Sequence, residues 1–313
     1  MAKPVVLMIG AYPDWDMAAL EEAYDLRKLW LAADKEAFLA AAAPEARAIA
    51  TRGELGASAA LIDRCPKLEI IACYGVGFDA IDVKRAKERG VRVTNTPDVL
   101  TEDVADFAFA LILGYLRKIV AGEAHVRSGA WKSGTLPLGV SLNGKMLGIL
   151  GFGRIGRAIA RRAQGFGVTL AYCDVAPASG VDAAYHKDAV SLARASDILV
   201  AAVSGGEATR GIVGAAVFEA LGPSGVFVNV SRGSVVDEPA LIDALAQRRI
   251  GGAALDVFWN EPNVDQRLLA FDNVLLQPHQ SSGTVETRKA MGKLVRDNLE
   301  AHFAGRPLVT PVV

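Results

Sequence analysis

A run of glycines between an apolar segment and a helical pattern constrains this chain more than any other feature. Residues 147–150 form a short apolar strand that leads directly into Gly151, Gly153 and Gly156, after which apolar residues recur at helical spacing. In such a unit the first glycine allows a tight turn, the second lets the backbone approach a phosphate, and the third lets the helix lie close to the strand. Because the helix would begin with free N–H groups and a partial positive charge, the pattern predicts nucleotide binding.

An acidic residue after the next strand strengthens that prediction. The apolar run 168–173 ends at Asp174, at about the 20-residue spacing expected after the glycines. A carboxylate there can accept hydrogen bonds from both hydroxyls of an adenosine ribose, and it repels the 2′-phosphate of NADP. Glycines alone also mark ordinary turns. The combination of strand, helix and acid indicates a dinucleotide, with NAD favoured and NADP possible.

Composition limits the classes of partner. The chain has 313 residues, which is long enough for two domains. Its residues are 51% hydrophobic and 22% charged, a composition that can form sizeable cores. With 34 basic and 35 acidic residues the formal net charge is −1, so no overall field attracts nucleic acid or an anionic membrane. We therefore expect a small-molecule ligand that is bound by a local site, with neither nucleic acid nor membrane as a partner.

Cysteine usage and the chain start indicate a cytoplasmic protein. Cys65, Cys73 and Cys173 form no C-x-x-C pair and are odd in number, so we interpret them as reduced core residues. Residues 5–9, flanked by a proline and early acids, predict a first strand and not a signal peptide. The longest nearly uncharged run, 107–116, is too short for a bilayer, which takes about 20 residues.

The first third of the chain alternates strand and helix. Strands are predicted at 5–9, 47–50, 68–73 and 91–93, and helices at 16–24, 35–42, 55–63 and 83–89. Gly75 and Gly77 lie in the loop 74–79, where exposed N–H groups at the carboxyl end of a strand could bind a ligand. A plain glycine loop is an equally good interpretation of that segment.

A turn around Pro97 is a candidate hinge, and a long helix follows from Thr101 to about Val120. Acids in its first turn and Arg117 and Lys118 in its last suit the helix dipole. An apolar stripe along this helix would pack in a core or at a subunit interface, and we favour the interface. Residues 125–143 are loop-rich and carry Trp131, which predicts an arm. The stripe comprises Val104, Phe107, Ala108, Leu111, Ile112, Tyr115 and Ile119.

The rest of the chain repeats the strand–helix rhythm. Strands are predicted at 198–203, 226–230, 252–257 and 274–276, which supply a second mononucleotide-binding half. A final helix over 284–302 is expected to return to the first domain. The predicted domains are therefore residues 1–96 with 285–313, and residues 97–284.

Three polar side chains follow predicted strands of the second domain. Arg232 can hold a carboxylate with two hydrogen bonds, and His279 can pass a proton near neutral pH. Glu261 could fix the tautomer of that histidine and favour its charged form. Together they would make a site for reducing a keto acid. Taken singly, each has a plainer interpretation. Arg232 could form a surface ion pair, Glu261 could be a turn charge before Pro262, and His279 could be a loop histidine.

Other chemistry finds little support in the sequence. His125, His186 and His302 are interpreted as structural or solvated residues. There is no H-x-x-x-H pair, Cys/His cluster or D-x-D-x-D-G run, so no metal site is expected. The G-x-S-x-G elbow of the usual serine hydrolases is also absent.

Six motifs in order along almost the whole chain resemble those of the D-isomer-specific 2-hydroxyacid dehydrogenase family, in particular its hydroxypyruvate and glyoxylate reductase branch. They are Tyr74-Gly-Val-Gly-Phe-Asp79, Thr94-Asn-Thr-Pro-Asp98, Gly151-Phe-Gly-Arg-Ile-Gly156, Asn229-Val-Ser-Arg-Gly233, Leu255-Asp-Val-Phe258 with Glu261-Pro262, and Pro278-His279 with Ser282-Gly-Thr284. The resemblance implies an α/β fold of two Rossmann-like domains: a flavodoxin-like substrate domain built from both termini, and an inserted doubly wound NAD(P)-binding domain. It also implies a homodimer formed through residues 101–142.

The resemblance further implies reduction of a small 2-keto acid to the D-2-hydroxy acid with NAD(P)H. In that reaction His279 would donate the proton, Glu261 would hold His279, and Arg232 would bind the carboxylate and polarise the carbonyl. The backbone N–H groups of Val76 and Gly77 would complete the carboxylate site. Cofactor contacts are implied at Gly151, Gly153, Arg154, Ile155, Gly156, Asp174, Val203, Thr209, Val230, Asp256 and Ser282, with Asp256 touching the carboxamide and Arg154 and Ile155 meeting the pyrophosphate.

Four positions depart from the family pattern. Related reductases that use NADPH often have a small residue where Asp174 stands and an arginine where Val175 stands, which favours NAD. Ser204 replaces a common proline and Trp259 a common acid, so local loop shape and substrate preference are open.

Two alternatives stay open. The same scaffold could oxidise a small anion such as phosphite; formate enzymes pair the histidine with glutamine, so Glu261 argues against formate. A protein of this fold could also sense NAD(H) without catalysis, and it would then show negligible turnover on keto acids.

Overall fold

In the computed structural model, which describes residues 2–313, the strands form two parallel sheets. The first sheet has the order β2-β1-β3-β4-β5 and the second the order β12-β11-β10-β9-β6-β7-β8. The strands of the first are β1 Val5–Met8, β2 Asp25–Lys28, β3 Ala48–Arg52, β4 Ile70–Tyr74 and β5 Arg92–Thr94. Those of the second are β6 Met146–Leu150, β7 Thr169–Cys173, β8 Ala184–His186, β9 Ile198–Ala201, β10 Val226–Asn229, β11 Gly252–Leu255 and β12 Val274–Leu276.

Helices connect the strands of both sheets. In chain order they are α1 Asp14–Ala23, α2 Lys35–Ala42, α3 Ala59–Arg64, α4 Val83–Glu88, α5 Thr101–Leu116, α6 Ile119–Arg127, α7 Arg154–Ala163, α8 Ala189–Ala195, α9 Ala215–Leu221, α10 Glu238–Ala246, α11 Gln266–Ala270 and α12 Val285–Phe303. Several begin at an acidic or hydroxyl side chain that accepts a backbone N–H of the first turn, as Asp34 does for α2 and Thr284 for α12. Such caps satisfy N–H groups that lack a partner within the helix.

The chain divides into two units. Unit 1 comprises Met1–Leu100 and Thr284–Val313, and unit 2 comprises Thr101–Gly283. Central strands such as β4 and β10 are buried along their whole length, as expected for parallel strands covered by helices on both faces. The order of unit 1 is that of flavodoxin-like folds, and the order of unit 2 is that of dinucleotide-binding folds. The predicted fold class is therefore confirmed.

Two edge strands were missed by the sequence analysis. Asp25–Lys28 and Ala184–His186 lie at the edges of the two sheets, and their side chains are mostly half-buried or exposed. Each carries few large apolar residues, so neither produces the buried-strand pattern that the central strands show. His186, interpreted from the sequence as a structural or solvated residue, ends the second of these strands.

The predicted helix over residues 101–120 is wrong in its extent. α5 ends at Leu116, and α6 begins after Lys118, whose φ of 53° is left-handed. Val104, Ala108 and Ile112 of the apolar stripe are buried within unit 2, where α5 packs against α7 and β11. Core packing therefore explains these three residues of the stripe. The prediction that the stripe lies at a subunit interface is wrong for them.

Gly292 of α12 is required by a buried carboxylate of α1. Asp16 is fully buried and pairs with Arg296, and burial raises the pKa of Asp16 despite that cation. A Cβ at Gly292 would lie 2.1 Å from both carboxylate oxygens of Asp16. We expect Gly292→Ala to lower the free energy of unfolding in urea by roughly 1–3 kcal/mol, because the overlap outweighs the gain in helix propensity.

Gly122→Ala is the matched control for that substitution. Gly122 also lies inside a helix, but a Cβ there meets only Leu136 Cδ1 at 3.8 Å. This variant should be as stable as the parent or more stable. If both glycine variants unfold at the same urea concentration, close packing on Asp16 is not what requires Gly292.

Within residues 2–313, none of the helices combines the length and apolar character needed to cross a bilayer. In the same part of the chain, no group of His, Cys, Asp and Glu residues is arranged to hold a metal ion.

Candidate active site

The glycine turn after β6 has the geometry that its sequence predicts. Gly151 has a φ of 91°, and a Cβ there would lie 2.6 Å from the backbone of Val203. A Cβ at Gly156 would lie 2.1 Å from Gly151 O, so the start of α7 packs directly on the turn. Gly153 differs, since its Cβ would meet nothing within 4 Å. Open space beside Gly153, at the N-terminus of α7, suits a diphosphate.

Asp174 joins the end of β7 to the glycine turn. Its Oδ2 accepts the N–H of Phe152 at 2.7 Å, and its Oδ1 accepts the N–H of Val175 at 2.7 Å. Each carboxylate oxygen has further lone pairs, so hydrogen bonds from ribose hydroxyls remain possible. The Val175 side chain is fully exposed and brings no positive charge beside the carboxylate.

The other predicted cofactor contacts also lie in unit 2. Val203 and Val230 follow the carboxyl ends of β9 and β10, the edge at which ligands bind in open α/β sheets. Thr209 Oγ1 donates to Ser204 O at 2.7 Å, which closes the loop after β9. Ser282 is buried near the end of the unit. Arg154 and Ile155 are the first two residues of α7.

A buried asparagine shapes the turn that carries Arg232. Asn229 ends β10, and its Nδ2 donates to Arg232 O at 3.0 Å while its Oδ1 accepts the N–H of Ser231 at 3.0 Å. The Arg232 guanidinium donates from Nη1 to Ser231 O at 2.8 Å. A Cβ at Gly233 would lie 2.0 Å from the carbonyl of Phe258, so this turn packs against the loop after β11.

Glu261 and His279 form a hydrogen-bonded pair. Glu261 Oε2 lies 2.7 Å from His279 Nδ1, and Glu261 Oε1 accepts the N–H of Phe258 at 2.9 Å. Both carboxylate oxygens are thus engaged, which fixes the direction of the carboxylate. Because Nδ1 faces the carboxylate, the Nε2 atom of His279 is the ring nitrogen left to meet a substrate.

Electrostatics keep Glu261 ionised. Burial alone would raise the pKa of this carboxyl, but the hydrogen bond and charge of His279 more than offset it, with smaller help from Phe258 N–H and the Arg232 charge. The net result is a pKa below the usual 4.5. The turn that carries Arg232 packs against Phe258, the residue whose N–H Glu261 accepts. The three predicted side chains come together at the carboxyl edge of one sheet.

Asp256 holds the backbone of the His279 loop. The Asp256 carboxylate is fully buried, and it accepts the N–H of Gln280 at 2.7 Å and of Ser281 at 2.9 Å. The N–H of His279 donates to Asp256 O at 2.8 Å, and His279 itself has a left-handed φ of 55°. Burial raises the pKa of Asp256 although these N–H groups stabilise its ionised form.

The glycine loop of unit 1 presents unused N–H groups. Its carbonyls are engaged: Gly75 O accepts the N–H of Thr96 at 2.9 Å, and Val76 O accepts Asn95 Nδ2 at 2.8 Å. Among residues 2–313, neither the N–H of Val76 nor that of Gly77 finds a protein acceptor. Two adjacent N–H groups at the end of β4 suit one carboxylate.

Two of the other histidines make local contacts. The His125 Nε2 atom lies 2.8 Å from Gly134 O, and the His302 Nε2 atom lies 2.9 Å from Glu69 Oε2.

Comparison with known proteins settles the family. The family model for the NAD-binding domain of D-isomer-specific 2-hydroxyacid dehydrogenases matches residues 109–281. A glyoxylate/hydroxypyruvate reductase A of Arabidopsis thaliana is 47% identical over 98% of each chain. The chain belongs to the D-isomer-specific 2-hydroxyacid dehydrogenase family. These proteins are NAD(P)-dependent oxidoreductases.

Two solved structures of the dehydrogenase family superpose on the whole chain. A 2-hydroxyacid dehydrogenase from Ketogulonicigenium vulgare has a TM-score of 0.92 and 54% identity, covering 100% of this chain and 99% of its own. An NADPH-dependent glyoxylate/hydroxypyruvate reductase from Sinorhizobium meliloti, in complex with NADP and malonate, has a TM-score of 0.92 and 44% identity, covering 100% and 97%.

Supporting residues of this dehydrogenase escaped the sequence analysis. Asn229 was noticed only as part of a motif, and the hydrogen bonds of Asp256 to the His279 loop were not foreseen. Trp259, which replaces an acid, donates from Nε1 to Val236 O at 2.7 Å. A polar residue at the end of an otherwise apolar strand is the one signal that could have identified Asn229 and Asp256.

Proposed function

We propose that this dehydrogenase reduces small 2-keto acids of the glyoxylate and hydroxypyruvate type to D-2-hydroxy acids. The observation that carries the proposal is the 2.7 Å hydrogen bond between Glu261 and His279, with the Arg232 turn packed against the loop that carries Glu261. Reduction of a keto acid requires an oriented proton donor, here His279, beside a fixed positive charge, here Arg232. The names of the Arabidopsis and Sinorhizobium relatives support the same substrate class.

Each side chain has a defined role in this proposal. Protonated His279 donates its Nε2 proton to the keto oxygen, and Glu261 holds the ring and stabilises the positive charge that precedes transfer. Arg232 binds the substrate carboxylate and stabilises negative charge that develops on the oxygen. In unit 1, the unused N–H groups of Val76 and Gly77 are proposed to bind a carboxylate.

The turn Gly151–Gly156 is proposed to hold the diphosphate of a nicotinamide dinucleotide, whose reduced ring supplies the hydride. Open space at Gly153 and the N–H groups of Arg154 and Ile155 support this assignment. We propose NAD(H) as the preferred form, because Asp174 would accept the ribose hydroxyls and repel a 2′-phosphate.

Exposed apolar side chains on the arm support a proposed homodimer. Trp131 is 65% exposed and Leu138 is 93% exposed, and Ile119, Val120 and Val126 of α6 are also exposed. Such a concentration of apolar surface is typical of a protein interface. Sedimentation of the chain as a dimer would support this, and a monomer at all concentrations would contradict it.

Three buried thiols support a reducing, cytoplasmic location.

A keto-acid panel with both cofactors tests the proposed function. We expect turnover of glyoxylate and hydroxypyruvate, and a kcat/KM for NADH roughly tenfold or more above that for NADPH, because a 2′-phosphate would face the Asp174 carboxylate. A preference for NADPH would contradict the role given to Asp174. Nucleotide binding without turnover of any keto acid would contradict the enzymatic proposal as a whole.

A further inference from the structure

Trp259 joins two loops of unit 2 that carry proposed catalytic side chains. Arg232 follows β10 and Glu261 follows β11, and these strands are parallel neighbours in the sheet. Both loops therefore leave the same carboxyl edge, where ligands of open α/β sheets bind. Whatever holds one loop against the other also sets the separation between Arg232 and the Glu261–His279 pair.

Both N–H groups of Trp259 donate to the segment that follows the Arg232 turn. The indole Nε1 atom donates to Val236 O at 2.7 Å, and the backbone N–H donates to Glu238 Oε2 at 3.3 Å. The indole bond is the shorter of the two. It is also the one that a substitution of Trp259 removes, because every variant except proline keeps the backbone N–H.

The acceptor of the indole bond is a fixed part of the Arg232 turn. The N–H of Val235 donates to Arg232 O at 3.3 Å, and the N–H of Val236 donates to Gly233 O at 3.0 Å. Val236 also pairs with Val213 in an isolated parallel bridge, and its side chain is buried. The Val236 carbonyl is therefore held in place by the same backbone that carries Arg232.

The other end of the link reaches Glu261 through the neighbouring residue. Phe258 precedes Trp259, and its N–H donates to Glu261 Oε1 at 2.9 Å. A Cβ at Gly233 would lie 2.0 Å from Phe258 O and 2.5 Å from Trp259 N, so the two loop backbones touch at this point. The indole bond adds a second point of attachment. Two points prevent the rotation of one loop against the other that a single contact allows.

Apolar burial does not explain this tryptophan. The Trp259 side chain is 53% exposed, whereas Phe258 beside it is buried. A half-exposed indole gains only part of the stabilisation that a buried ring would give, and its N–H is what distinguishes it from other aromatic side chains. The hydrogen bond to Val236 is thus the specific contact that the residue makes.

We propose that Trp259 is a positioning residue for the reduction, acting through the Val236 hydrogen bond to hold the Glu261–His279 pair at a fixed separation from Arg232. Loss of the bond leaves all three side chains present on their own loops and changes only how the loops meet. This inference rests on the proposed function, and it adds a determinant of turnover outside the three side chains that act on the substrate.

Two substitutions separate the N–H of Trp259 from its ring. Trp259→Phe keeps a ring without a donor, and Trp259→Gln keeps a donor three bonds from Cβ, as in tryptophan, without the ring. For the phenylalanine variant we expect kcat on glyoxylate to fall roughly tenfold with KM within about twofold, because the proton donor is misplaced while carboxylate binding survives. The glutamine variant should keep roughly threefold or more of the kcat that the phenylalanine variant loses, since it can still donate to Val236 O.

A double-substitution cycle tests whether Trp259 acts through this separation. Without the Arg232 guanidinium there is no separation left to maintain, so Trp259→Phe in an Arg232→Ala background should lower kcat/KM less than about twofold. Trp30→Phe is the matched control, because Trp30 is a half-buried tryptophan of unit 1 and belongs to neither loop. This variant should leave kcat and KM within about twofold of the parent.

The outcomes separate this inference from the proposed function. Unchanged kcat in Trp259→Phe, a loss carried by KM, a loss in Trp259→Gln as large as in Trp259→Phe, or additive effects with Arg232→Ala would each overturn the positioning role. The keto-acid reductase would stay intact in all four cases. Assays at a temperature where circular dichroism shows every variant folded keep a change in stability out of the comparison. A parent enzyme inactive on keto acids would overturn the proposed function, and this inference with it.

Discussion

Replacing His279 with glutamine should lower kcat for keto-acid reduction roughly 10²- to 10⁴-fold, the range expected when a general acid is lost. Glutamine keeps a polar side chain of similar reach, but it has no proton to transfer near neutral pH. The glycine turn and Asp174 are untouched, so the dissociation constant for NADH should stay within about twofold. Steady-state kinetics and fluorescence titration with NADH would measure the two quantities. Unchanged turnover would remove His279 from the chemistry.

Glu261→Gln distinguishes two effects of Glu261 on His279: orientation of the imidazole ring and stabilisation of its positive charge. Wild-type Glu261 has a lowered pKa, so the carboxylate is ionised throughout pH 5–8 and is neutralised only as the pH falls through that lowered value. The amide oxygen can still accept the N–H of His279 Nδ1, but the amide NH2 cannot accept the N–H of Phe258, and the side chain carries no charge to stabilise protonated His279. The high-pH limb of the kcat/KM profile should therefore move to lower pH. An unshifted limb would leave Glu261 with a purely steric role.

The fold was predictable where the chain uses buried parallel strands. β4 and β10 are apolar along their length, and glycine or asparagine marks their ends, so both were located to within a few residues. The edge strand β2 was missed because its sequence, DLRK, has one apolar residue. The break at Lys118 was missed because a left-handed residue between two helical patterns leaves no signal in apolar spacing.

The site was predictable in its residue types but not in its supports. Arg232, Glu261 and His279 follow strands of one parallel sheet, so their convergence is a consequence of topology. The direction of each side chain depends on turns that sequence spacing does not describe. The left-handed backbone of His279 and the N–H groups held by Asp256 are such features. The catalytic roles of Arg232, Glu261 and His279 are predictions that the variants test.

Replacing Arg232 with alanine should lower kcat/KM for glyoxylate and hydroxypyruvate roughly 10²- to 10³-fold, by raising KM and lowering kcat together. The guanidinium is proposed to bind the carboxylate in the ground state and to stabilise charge on the reacting oxygen in the transition state. Loss of the first effect appears in KM, and loss of the second in kcat. Arg232→Lys should recover only part of the loss, since an ammonium group does not reproduce the planar, two-pronged contact.

Arg210→Ala is the matched control for Arg232→Ala. Arg210 is an exposed arginine of the same unit that pairs with Glu207, and its loss should leave both kinetic constants within about twofold of the parent. A rise in KM with kcat unchanged in Arg232→Ala would confine Arg232 to carboxylate binding, and the polarisation of the carbonyl would then fall to His279 alone. If neither constant changes, Arg232 supports the turn after β10 and takes no part in the reaction. Guanidinium chloride added to the alanine variant distinguishes these cases further, because restored turnover requires a vacated cation site beside the substrate.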